Sequence, residues 1–240
     1  MDLTRWPREL FEVGERVRVV DAAGNRLRAV PPEIAALPRL ATLNLAANAL
    51  TAAAVDPSLG RLTQLRVLVL SQNGGLGALP PAVFSLAGLA TLQVAGCGLT
   101  ELPAAIGELR GLKALQASGN EIRAIPPEIG RCAALEELDL SHNRWIREIP
   151  DAVGGLQHLV RLNLDNNAVT HHGVPTAVLV GCARLQTLSL HANPIDAAAL
   201  LGTEGYAAFE ERRRGRADKA IGAGVLLGSG GFDEGFDRPR

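Results

Sequence analysis

Five histidines and three cysteines are the residues of this 240-residue chain best suited to nucleophilic, acid–base or metal chemistry. His171 and His172 are adjacent, while His142 and His191 fall near the ends of two separate apolar segments. No His-x-x-x-His or Cys-x-x-Cys spacing accompanies them. Metal and paired-thiol sites rely on such spacing to bring their ligands onto one face, so no metal site and no cofactor is expected. Glu137 and Asp139 alternate with leucine, as surface positions of a strand do, and an acid–base pair would need them in a shared cleft. No catalytic residue is assigned, and a hydrolase or metal-dependent enzyme ranks third among the readings.

Bulk composition narrows the classes further. Lys and Arg number 24 against 25 Asp and Glu, a net charge of −1, so no global field recruits nucleic acid or an anionic membrane. Neither is expected as a partner. Aromatic residues are 3% of the chain and apolar residues 47%, which means a core assembled from many small aliphatic contributions. The opening Met1-Asp2-Leu3-Thr4-Arg5-Trp6-Pro7 has charges where an export signal needs an apolar run, and no stretch approaches the roughly 18–20 apolar residues of a spanning helix. The cysteines are odd in number and scattered, and no Asn-x-Ser/Thr acceptor occurs. A reducing, cytoplasmic location is expected.

The elements that position these residues repeat. Leu-x-x-Leu-x-Leu-x-x-Asn begins clearly at Leu40, Leu65, Leu112, Leu135, Leu159 and Leu185. A weaker copy opens the array through Val17, Val20 and Ala22, and the copy from Leu89 ends on Cys97 where Asn belongs. The steps from Asn25 to Asn193 average 24 residues, a period that predicts a leucine-rich-repeat array. The fold expected is an α/β solenoid: a horseshoe with a concave parallel β-sheet of about eight short strands, a short helical or irregular convex side, and a C-terminal capping helix.

Alternation turns the second and third leucines of each copy inward and the residues beside them onto the concave face. The closing asparagines, Asn25, Asn48, Asn73, Asn120, Asn143, Asn167 and Asn193, leave the strands and form a ladder bonding to backbone groups of neighbouring coils. Single extra residues follow Asn73 (Gly74-Gly75-Leu76) and Asn143 (Arg144-Trp145-Ile146) and are expected to be absorbed in loops. Leu-Pro-x-x-Ile variants such as Leu102-Pro103 and Ile125-Pro126 start the convex turns. Cys132 and Cys182, three residues before a strand's first leucine, read as buried fillers.

The concave face is where binding is expected. Its earlier coils present small neutral groups with one apolar spot at Val67 and Val69. Its last three present Glu137, Asp139, Arg161, Asn163, Asp165, Ser189 and His191. Three acids around one arginine fit recognition of a protein partner with a basic element.

The ends need caps, since an open array exposes leucines. Residues 1–16 read as an N-terminal half-repeat cap: either Trp6 and Phe11 cover the first complete coil by themselves, or the sequence is cut from something longer. The repeats then run over 17–196, a capping helix over 197–218 and a flexible tail over 219–240. Tyr206 and Phe209, three apart on one helix face, are the expected plug. The Arg212-Arg213-Arg214 run is read as a solvated helix face beside Glu210 and Glu211.

These repeats resemble the intracellular type of plant Ras-group-related leucine-rich-repeat proteins. The terminal residues narrow the resemblance. Glu204-Gly205-Tyr206, Phe209, Arg212 to Arg214, Gly228-Ser229 and Phe232-Asp233-Glu234-Gly235 are similar to the terminal segment of plant proteins that join leucine-rich repeats to a ubiquitin-like domain, although no such domain is expected before Leu3. The resemblance and the surface together imply a non-catalytic, monomeric scaffold or adaptor for a protein partner in intracellular signalling. The alternative is a regulatory subunit of a phosphatase, GTPase or ubiquitin-ligase complex.

Overall fold

A computed structural model describes residues 2–222. Each copy of the motif supplies one three-residue strand: β1 Val19–Asp21, β2 Thr42–Asn44, β3 Val67–Val69, β4 Thr91–Gln93, β5 Ala114–Gln116, β6 Glu137–Asp139, β7 Arg161–Asn163 and β8 Thr187–Ser189. They form one parallel sheet in chain order, in which every coil pairs with the next without a shift in register. The central residue of each strand is buried, Val20 in the first and a leucine in the rest. The sheet of eight parallel strands is that of a leucine-rich-repeat horseshoe, as the period predicts.

The convex side is built from five-residue 3-10 turns, among them Pro32–Ala36, Ala104–Glu108 and Asp151–Gly155. A proline stands just before most of them, extended at φ −61° to −82°. It fixes the entry angle at a position where no intrahelical N–H is lost. The isoleucine or valine three residues on, Ile106 or Val153 for example, is fully buried behind it. In the seventh coil the turn lengthens to the helix α2, which comes after a shorter helix, α1 Arg8–Glu12, at the other end and spans Thr176–Gly181. It fits because Gly154 lacks a side chain: a Cβ there would lie 2.3 Å from the Ala177 carbonyl oxygen.

The ladder forms as the asparagines predict, with one further rule. Asn167 excepted, each amide oxygen accepts the N–H lying two residues beyond the previous coil's ladder position: Leu27 to Asn48 at 2.9 Å, Leu50 to Asn73 at 3.0 Å, Ile122 to Asn143 at 3.0 Å and Val169 to Asn193 at 2.9 Å. From Asn48 onward each amide nitrogen donates to carbonyls of its own and the preceding coil, as Asn143 does to Leu140 and Ala117. Asn25 accepts from Leu3 at 2.9 Å and so ties the N-terminal segment into the same ladder. Trp6 Nε1 donates to the Ala29 carbonyl at 2.8 Å, and its ring lies 6.0 Å from that of Phe11. A further feature is absent from the motif: the residue before every ladder position is left-handed, with φ between 53° and 66°, and only three of these eight are glycine.

At the C-terminal end Asp196 caps α3 (Ala197–Leu201), accepting from the Ala198 and Ala199 N–H groups. The last helix, α4, spans Tyr206–Gly222 and packs against α2 and α3. Tyr206 and Phe209 are buried, their rings 6.0 Å apart edge to face. Of the arginine run only Arg214, its side chain 74% exposed, is on the solvated face that composition predicts; the other two are not. Arg212 donates to the Leu179 carbonyl of α2, and Arg213, its side chain only 17% exposed, pairs with Glu210 at 3.1 Å. They help to dock α4 because Tyr206 and Phe209 hold the same face of the helix down. Of the tail expected over 219–240, residues 223–240 lie outside the described residues.

Burial pushes the Tyr206 phenol up to about 12 from its ordinary 10, with the Glu210 charge adding to the effect. The folded state therefore holds the neutral form, so the stability it contributes is intact below pH 10 and is lost as the pH rises toward 12. Tyr206 is the single tyrosine. Its ionisation, followed by tyrosinate absorbance, should have a midpoint clearly above 10 and coincide with loss of helix signal; a midpoint at 10 contradicts this docking.

Candidate functional site

Register makes the concave face a grid. One row runs Val19, Thr42, Val67, Thr91, Ala114, Glu137, Arg161, Thr187 and the next runs Asp21, Asn44, Val69, Gln93, Gln116, Asp139, Asn163, Ser189. Backbone bonds such as His142 N–H to Asp165 O, 2.8 Å, and Asn166 N–H to His191 O, 2.8 Å, extend the pairing to a third row that ends in Ser141, Asp165 and His191. Apart from Asp21, the charged residues of the grid are Glu137, Asp139, Arg161 and Asp165, on neighbouring strands.

Within this group the structure joins what the alternation placed side by side. Glu137 and Arg161 are direct register partners and form an ion pair across β6 and β7. Asp139 accepts the Ser141 N–H at 3.0 Å and Asn163 accepts the Asp165 N–H at 3.0 Å, as Asp21 and Asn44 do in their coils. These carboxylates and amides therefore close the ends of their own strands as well as facing the concavity. Asp165 accepts from the Ser189 hydroxyl and the His191 N–H, both at 2.7 Å, bridging the last two coils. Ser189 is 3% exposed, too buried to meet a partner through its own side chain. Val67 and Val69 share the face but lie three strands from β6, about 14 Å away at the usual strand spacing, and form no single patch with the charged group.

The residues suited to catalysis do not converge. The His171 and His172 rings are in tilted contact with centroids 3.9 Å apart, His142 lies 3.4 Å from the Asn166 amide, and His158 lies 3.2 Å from Arg184. Among the described residues no group of three or more His, Cys, Asp or Glu is placed to hold a metal ion. All three cysteines are buried, and each thiol donates to a backbone carbonyl: Cys97 to Leu70, Cys132 to Ile106 and Cys182 to Val153. Burial pushes Cys132 and Cys182 up to about 11, so neither is a thiolate near neutral pH. No described helix is long and apolar enough to cross a membrane.

One surface feature lies outside the residues that the sequence singles out. Trp145 is 54% exposed and borders an open cleft of about 620 Å³ with Arg123, Ala124, Arg147 and Glu148. Its signal is the extra residue after Asn143, which by itself speaks only of loop length.

The family model described as leucine rich repeat matches residues 133–195. Plant intracellular Ras-group-related LRR protein 7 of Oryza sativa subsp. japonica is 42% identical over 60 residues, which are 25% of this chain and 23% of that protein. An LRR repeats and ubiquitin-like domain-containing protein of Arabidopsis thaliana is 43% identical over 65 residues, 27% of this chain and 17% of that protein. The chain thus spans less than a quarter of the length of these relatives. Among solved structures, the plant peptide hormone receptor RGFR1 in complex with RGF2 superposes with a TM-score of 0.64 at 28% identity, covering 79% of this chain and 30% of the receptor. The chain is similar to plant intracellular leucine-rich-repeat proteins of the Ras-group-related and ubiquitin-like kinds, and proteins built on this repeat commonly serve as protein-interaction scaffolds.

Proposed function

We propose that this protein is a non-catalytic scaffold or adaptor of intracellular signalling that reads a protein partner with the concave face of its last three coils. The carrying observation is the gathering of Glu137, Asp139, Arg161 and Asp165 on adjacent, registered strands of a face otherwise almost free of charge. A rigid grid held by the ladder fixes these groups before the partner arrives, which lowers the ordering cost of association. Asp139 and Asp165, which form no ion pair among the described residues, favour a basic element on the partner, and Arg161, neutralised by Glu137, sets orientation more than affinity. His191, held by Asp165, marks the edge of the patch. The relatives named for intracellular proteins and the receptor solved with RGF2 support a binding role of this kind.

The test exchanges charge without removing the bonds the acids make to their own coils. Asp139→Asn with Asp165→Asn retains an oxygen acceptor for the Ser141 and His191 N–H groups, so melting should hold to within about 1 kcal/mol. Capture of the partner should weaken by roughly 2 kcal/mol or more, as for members of a binding hot spot. The control is Asn44→Ala with Gln93→Ala on the same row. Equal effects from both pairs, or none from either, would remove the patch from the binding surface.

A further inference from the structure

The sixth coil departs from its neighbours in three ways, and all three trace to one inserted residue. In coils of ordinary length the residue two beyond the ladder position is a buried aliphatic, as with Leu27, Leu50, Leu99, Ile122 and Val169. In the sixth the buried aliphatic is Ile146, and Trp145 is displaced outward to 54% exposure. Arg144 takes φ 66°, a left-handed conformation that its Cβ disfavours. The buried Oδ1 of Asn167 accepts no hydrogen bond from a described residue, because the N–H that would meet it has been shifted by the insertion.

The matching insertion after Asn73 shows that an extra residue does not require this arrangement. There glycines fill the added length, the Leu76 N–H closes on the Asn73 carbonyl at 2.8 Å, and no aromatic is displayed. A strained turn, an orphaned buried acceptor and an exposed indole at one place mark a site whose local stability has been given up for something else.

The chemistry of the cleft says what it would hold. Arg123 and Arg147 line it beside Trp145, with Arg144 adjacent in sequence and Glu148 the single acid. All three arginines are exposed, and none forms an ion pair with another described residue. Exposed guanidiniums offer paired donors to carboxylates, and an indole face takes an aromatic or other apolar side chain. We propose that this cleft docks an extended acidic peptide segment of a partner protein, its aromatic side chain against Trp145 and its carboxylates on Arg123 and Arg147. The site lies in the loops after β5 and β6, outside the concave grid, and does not depend on the concave reading.

The chain's own Phe232-Asp233-Glu234-Gly235-Phe236-Asp237 has the required chemistry and supplies the probe. A fluorescein-labelled hexapeptide of that sequence, titrated onto the full chain at low ionic strength and followed by anisotropy, should bind saturably. The same peptide with lysine at its three acidic positions should not. Trp145→Ala, and separately Arg123→Ala with Arg147→Ala, should weaken binding at least tenfold without lowering the melting temperature, while Asp139→Asn with Asp165→Asn leaves it unchanged. Equal binding by the cleft variants or by the lysine peptide overturns the proposal. So does a tenfold gain in probe affinity when the chain carries Asp233→Asn, Glu234→Gln and Asp237→Asn, which would assign the cleft to the chain's own terminal segment. Self-association that disappears with Trp145→Ala would likewise overturn it, by assigning the cleft to a second copy.

Discussion

Removing the two buried aromatics of α4, by Tyr206→Ala with Phe209→Ala, should unseat the C-terminal helix and lower the melting temperature more than any single concave substitution. Their residual exposures of 5% and 3% place both rings fully inside the cap. Truncating a buried aromatic to alanine costs about 3–5 kcal/mol. Because the rings are in edge-to-face contact, the pair should cost less than the two single changes added together. The array sets the consequence of that loss: α4 packs on α2, the convex helix of the seventh coil, and on α3, which follows the last strand, and uncovering them creates an apolar end. The double variant should therefore also self-associate, seen as a concentration-dependent sedimentation coefficient. A variant that melts and sediments like the parent would show that the last coil does not need this plug.

Replacing Asn143 by Ala should cost about 3 kcal/mol or more, and the same change at Asn167 about 1–2 kcal/mol less, since each buried partner left unpaired is worth roughly that much. Asn143 accepts from the Ile122 N–H and donates to the Leu140 carbonyl at 2.8 Å, and both partners lie in the interior. Asn167 makes the corresponding donations, to Leu140 and Leu164, but its oxygen has no donor among the described residues. Cys97→Asn extends the comparison. Filling the gap in the ladder would be expected to stabilise by roughly one hydrogen bond. However, the preceding coil carries its own insertion after Asn73, and the Cys97 thiol already reaches the Leu70 carbonyl at 3.2 Å. The new amide oxygen would share the fate of Asn167 Oδ1, so the expected change is close to zero or a loss. Chemical denaturation of the three variants reads the ordering directly; equal costs at 143 and 167 would contradict the two-residue ladder rule.

The sheet, its order and its register were legible because they follow from period and alternation alone. An aliphatic residue at each of the eight strand centres cannot be buried in any other register, and the asparagine that closes each copy must find backbone partners. The left-handed residue before each ladder position was not legible, because glycine marks it at Gly24, Gly96 and Gly119 while Ala47, Gln72, His142, Asn166 and Ala192 carry the same conformation under the pull of the coil bonds on either side. Propensity is overruled there by the tertiary frame. The concave rows were readable residue by residue, but their side-chain bonds were not. Asp139 and Asn163 bend back to cap their strands, and Asp165 bridges to the eighth coil, because an acceptor at a strand end meets the N–H two residues on. The exposure of Trp145 was not legible, because an insertion announces its length and not the direction in which its side chain leaves.

On the function proposed, the last three coils, and not the earlier ones, meet the partner. Asn163 and Gln93 occupy the same row of the sheet, on β7 and β4, both half-buried at the concave face. A photo-reactive side chain placed at each position in turn, in otherwise identical protein exposed to extract and irradiated, measures which end is in contact. A defined cross-linked protein is expected from position 163, diminished by Asp139→Asn with Asp165→Asn, and little from position 93. Equal yields from the two positions, or a product from 93 alone, would contradict it.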